Sequence, residues 1–198
     1  MPDISTASIV ADYLRYRLQC LGNGVDAEEN DCLSTIMSSV ENVPEDLHEA
    51  IVNLSEKLMN DYRDSFSDMP NQLKITENTI SSTFKAVTSE LFVDGVISWG
   101  RIVAFFSFGG ALCEWCQEKD IPRAFPTVEE LMVAYINSHL ITWIHANGGW
   151  DGLVDFYKHL SHSSLDDSAL TNGVWSGKQL VGVATLGILT VGAFFFRS

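Results

Sequence analysis

Cys113 and Cys116 form a C-x-x-C, a spacing that serves zinc or dithiol redox chemistry when a second pair or histidines stand nearby. Here the pair lies in an apolar helical run with neither close in sequence, which points to packing. His139 and His145 are six residues apart and so face different sides of one helix, while His159 and His162 straddle a helix end. Neither pairing suits general acid–base work. No Gly-rich phosphate loop, HExxH or nucleophile elbow occurs. The residues point away from an enzyme, and no metal or cofactor is called for. What remains is one cation, Arg101, in Ser98-Trp99-Gly100-Arg101 at the entrance of the run IVAFFSFGGALC, residues 102–113. A cation in the first turn of a helix sits at the positive end of its dipole and is disfavoured by up to about 1 kcal/mol. Arg101 therefore answers to a carboxylate, on a ligand or in a surface pair with Glu90 or Asp94.

The elements that must position this arginine read as helices. The apolar run would be roughly 18 Å long, too short for the ~30 Å core of a bilayer, so it is expected to be the buried central helix of a bundle. Residues 5–21 place Ile9, Tyr13 and Tyr16 beside Val10, Leu14 and Leu18, and stop at Gly22-Asn23-Gly24. A polar stretch follows, with a short helical turn expected at Cys32–Met37, and Pro44 suits the first turn of the next helix. From Glu45, Leu47, Ile51, Leu54, Leu58, Tyr62 and Phe66 recur at steps of three or four, predicting one continuous helix up to Met69-Pro70. Further helices are expected at Thr79–Phe92, at Thr127–Ala146 with a Thr127/Glu130 capping box, and at Trp150–Leu160. The fold class is all-α, a bundle of seven to eight helices.

Twelve Lys and Arg against 26 Asp and Glu leave a formal net charge of −14, which repels phosphate backbones and makes nucleic acid an unsuitable partner. The cysteines show no spaced framework and the first residues no signal peptide, consistent with a reducing, cytosolic setting. Residues 179–196, QLVGVATLGILTVGAFFF, carry no charge between Lys178 and Arg197. At roughly 27 Å they suit a thin membrane. The reading is a transmembrane tail anchor on a linker at 161–178, with the bulk of the chain facing the cytosol; a last core helix in an apolar groove is the alternative.

Three blocks then stand in order: LHEAIVNLSEKL at 47–58, SWGRIVAFFSFGGALC at 98–113 and WIHANGGWDGLVDFY at 143–157. Jointly they resemble the BH3, BH1 and BH2 motifs of the Bcl-2 family of apoptosis regulators, the BH1-like region covering 90–109. SIVADYLRYRL at 8–18 is similar to the family's BH4 helix. YRDSFSDMPNQLKIT at 62–76, with ELF at 90–92, resembles the pro-survival branch of Bcl-2 and Bcl-xL. The resemblance implies a domain over residues 1–160 in which a central hydrophobic helix hairpin is wrapped by amphipathic helices, leaving a groove that takes a BH3 helix. It implies pro-apoptotic BH3-containing partners, both BH3-only and Bax/Bak-like, possible homo- or heterodimers, and residence at the mitochondrial outer membrane or endoplasmic reticulum.

Carried over residue by residue, the resemblance lines the groove with Leu58, Tyr62, Phe66, Met69, Val87, Leu91, Val103, Ala104 and Phe108, with Tyr157 at the far end. Gly100 permits close approach of a ligand backbone, and Arg101 matches the arginine that pairs with the BH3 aspartate. Three departures stand out. Ser98 replaces an asparagine, one residue more separates Phe92 from Trp99, and Ser55-Glu56 replace the small residue and aspartate of a BH3 stripe, which makes that segment a weak ligand for other members. A pore-forming member of the same fold and a tail-anchored adaptor unrelated to cell death are the rival readings.

Overall fold

The computed structural model describes residues 4–21, 43–121 and 124–163, all of them in helices or the turns between. Helix α1 is Thr6–Leu21, α2 Glu45–Asp61, α3 Arg63–Leu73, α4 Ile80–Leu91 and α5 Trp99–Glu118. Then α6, Ala124–Tyr135, runs through a π-helical turn, Ile136–Leu140, into α7, Ile141–Ala146, and α8, Gly149–Ser163, completes the bundle. The expected turn at Cys32–Met37 and the tail at 179–196 lie outside the described residues. Among those described, no helix is long and apolar enough to cross a membrane.

Helix α5 is the axis. It packs against α1, α2, α3, α4 and α6, and Ile102, Phe105, Phe106, Phe108, Leu112 and Cys116 are buried on all sides of it, as befits a helix without a polar stripe. Aromatic edges lock it in place. Phe106 meets Tyr13 of α1 at 5.4 Å between ring centres, and Phe105 and Phe108 meet Phe84 of α4 at 5.8 and 5.6 Å. Gly110 lets α1 approach, for a Cβ there would stand 2.8 Å from the Tyr13 hydroxyl. Beside it Arg17 Nε donates to Glu114 Oε1 at 2.5 Å. Burial raises the Glu114 pKa more than the arginine lowers it.

Four boundaries differ from the sequence expectation. The continuous stripe from Glu45 divides at Tyr62, whose φ of −118° and ψ of 34° leave the helical region, although Tyr62 N still reaches Leu58 O at 3.1 Å. Helix α3 then runs through Pro70 to Leu73, its imide lacking one N–H, because Met69 is buried and Leu73 packs on the core. Helix α6 runs from Ala124, so Thr127 lies inside it rather than at its N-cap, with Ala124 and Val128 buried. Residues 161–163 of the expected linker belong to α8.

Candidate partner-binding site

Helix α5 begins because Ser98, with extended backbone, accepts from the N–H of Arg101 at 3.4 Å and so satisfies one orphan donor of the first turn. Arg101 is the third helical residue, and its guanidinium turns back over the loop that precedes the helix. There it pairs with Asp94 through both carboxylate oxygens, Nη2 to Oδ2 at 2.6 Å, and Nη1 also donates to the Val96 carbonyl at 2.8 Å. The loop is shaped for this. Asp94 Oδ1 accepts from Val96 N at 3.0 Å, and Gly95 N reaches Phe92 O at 3.0 Å with Gly95 at φ +72°, an Asp-Gly turn in which only glycine is at ease. The hydrogen bonds from Arg101 and then from Val96 hold the Asp94 carboxyl far below the usual carboxylate range. Of the two partners expected for a surface pair, the structure selects Asp94.

The apolar residues that the sequence assigns to a groove come from α2, the α2–α3 junction, α3, α4 and α5, and α5 packs on α2, α3 and α4. They divide by depth. Leu58, Met69, Leu91, Val103 and Phe108 are buried. Tyr62, Phe66, Val87 and Ala104 are half-buried, packed on the core yet open on one side. Ser98 and Gly100 share that intermediate exposure with Arg101, and no neighbour crowds Gly100, where a Cβ would meet Ser98 Oγ at 4.0 Å. Among the described residues the exposed large apolar side chains are Val93 and Val96, both on the loop that carries Asp94.

Tyr157 of α8 is placed against α2, where its hydroxyl donates to Glu49 Oε1 at 3.2 Å and accepts from Asn53 Nδ2 at 2.7 Å. Glu49 and Asn53 are one helical turn apart, but their apolar neighbours Leu47 and Ile51 dominate the sequence pattern and gave no hint of this contact. On its other side α2 is tied to α1. His48 Nδ1 meets Asp12 Oδ2 at 2.6 Å, and the Tyr16 hydroxyl donates to Glu56 Oε1 at 2.7 Å. The BH3-like stripe Leu47, Ile51, Leu54, Ser55 and Leu58 is wholly buried in the bundle. No group of three His, Cys, Asp or Glu among the described residues is placed to hold a metal ion.

Comparison with known proteins bears on this arrangement. The family described as apoptosis regulator proteins, Bcl-2 family, matches residues 51–150. Bcl-2-like protein 1 of Rattus norvegicus is 41% identical over 136 residues, covering 69% of this chain and 57% of the rat protein. Apoptosis regulator Bcl-2 of Canis lupus familiaris is 37% identical over 153 residues, 77% of this chain and 62% of its own length. Apoptosis regulator R1 of Xenopus laevis is 32% identical over 197 residues, 98% of this chain and 79% of its own. The chain thus spans less than two thirds of the rat and dog relatives.

Proposed function

Because the chain belongs to the Bcl-2 family of apoptosis regulators, we propose that it is a pro-survival member that captures the BH3 helices of pro-apoptotic relatives. The carrying observation is the strip of half-buried apolar side chains, Tyr62, Phe66, Val87 and Ala104, with the Arg101 guanidinium beside the start of α5. An amphipathic helix laid there would bury its apolar face and offer its aspartate to Arg101. Four ligand anchors contribute about 1.5–3 kcal/mol each on burial. Ordering the peptide costs about 2–5 kcal/mol and lost rigid-body freedom more, so the anchors alone do not give tight binding and the ion pair at Arg101 has to add to them. The net charge of −14 favours ligands with basic flanks. Residues 179–196 would hold the domain at the mitochondrial outer membrane or endoplasmic reticulum, where sequestering BH3 helices restrains permeabilisation. The pro-survival choice rests on the likeness of YRDSFSD and IVAFFSFGGALC to that branch.

The test is cytochrome c release from isolated mitochondria given an activating BH3 peptide, with and without an executioner relative. Suppressed release is the expected result. Release provoked by this protein when no executioner is present would make it a pore-former, and indifference in both arms would make it an adaptor.

A further inference from the structure

The seat on Arg101 is already taken. Asp94 engages both terminal nitrogens of the guanidinium, and the Val96 carbonyl takes a further N–H. The arginine side chain is left 16% exposed, while that of Asp94 is 49% exposed. A second carboxylate arriving at the same two nitrogens would face Asp94 as a like charge across one cation, which disfavours their coexistence. The pair is not what starts α5, since the Ser98 hydroxyl caps the helix through the Arg101 backbone N–H, independently of Asp94. Nor is Asp94 fixed from its outer side, where it faces water.

We propose that Asp94 is a built-in competitor for the ligand's acid, a latch on the loop between α4 and α5 that an incoming amphipathic helix must displace with its own carboxylate. The inference deepens the groove reading and rests on it. Helices that bring an acid to Arg101 replace one ion pair by another. Helices without one gain nothing by opening the latch and leave it shut. Asp94 thereby lowers apparent affinity by the fraction of molecules in which Arg101 is free, and it does so only for acid-bearing ligands.

The test uses the full-length chain and a fluorescein-labelled BH3 peptide in two forms, with its aspartate and with asparagine in its place, titrated by fluorescence anisotropy. Asp94→Asn is the informative variant because its amide oxygen can still accept from Val96 N. It is expected to tighten the aspartate peptide about fivefold, to leave the asparagine peptide within about twofold, and to have no effect once Arg101→Ala is present. Asp94→Ala, with melting curves for every variant, guards against a misfolded loop. If the wild type binds the aspartate peptide and neither Asp94 variant binds it more tightly, the latch is overturned and the groove reading stands. If no variant binds either peptide, both fall.

Discussion

Gly152 and Trp99 are packed so closely that a Cβ built on the glycine would stand 2.9 Å from the tryptophan's Cζ2, and closer still to the Asn147 carbonyl oxygen. Bare backbone of α8 thus rests on the first residue of α5, joining the BH2-like and BH1-like blocks. Gly148 and Gly149, at φ of +91° and +65°, make the turn that brings it there. Gly152→Ala must move a backbone carbonyl, and overpacking of this kind costs about 1–3 kcal/mol, offset in part by the roughly 1 kcal/mol that alanine gains in a helix. Urea melts of the two proteins should separate; superimposable curves would show that the turn yields freely.

Arg101→Ala should weaken an aspartate-bearing BH3 peptide, by less than the about 1.5–3 kcal/mol of hydrogen bonds to a charged group because the ligand's pair replaces the one with Asp94. Its melting temperature should barely change, because Ser98 still caps α5 through backbone. Isothermal titration beside a thermal melt separates the two effects. Unchanged affinity would remove Arg101 from the site.

The Glu114 carboxyl predicts a pH dependence of definite sign. Burial, opposed by Arg17 and reinforced by Glu118, raises its native pKa above the unfolded value, so in the window above about pH 4 the native state holds a proton that the unfolded chain has released. Stability from this group is present below the unfolded pKa and lost as pH rises through the native one. The melting temperature of the parent minus that of Glu114→Gln should fall as pH rises above about 4. A difference that is flat or rises would contradict the assignment.

The thiols of α5 should be silent. Cys113 and Cys116 are buried; burial lifts Cys113 well above the ordinary thiol range and Cys116 to about 11, so almost no thiolate exists at neutral pH. Iodoacetamide at pH 8 followed by peptide mapping should leave both unmodified in the native chain and label both in denaturant. Native labelling of Cys113 would mean that α5 opens readily.

Much of this arrangement is legible in the chain. The unbroken apolarity of residues 102–113 could only be a buried helix, and a cation at its mouth needed a carboxylate. Other features left no trace because periodicity does not resolve them. The stripe Leu58, Tyr62, Phe66 keeps its spacing across the break at Tyr62, since one residue outside helical angles does not disturb which side chains face inward. The π-helical turn is one turn long, and Ile136 and Leu140, four apart and both buried, fit an ordinary helix equally well. The Thr127/Glu130 pattern was a sound local signal, but it lies inside a helix that runs from Ala124. Asp94 was visible as one of two acids near Arg101, yet choosing it required the Asp-Gly turn that sets its carboxylate facing the guanidinium.

The inward face of α2 is committed to the bundle's own core. Leu47, Ile51, Leu54 and Leu58 are the surface that this segment would present as a guest, and the same side chains are the floor on which the host stands. Handing them to another protein would require parting α2 from α5 and α8 and breaking the Tyr16–Glu56 and His48–Asp12 bonds to α1, so the intact bundle withholds this face from any partner.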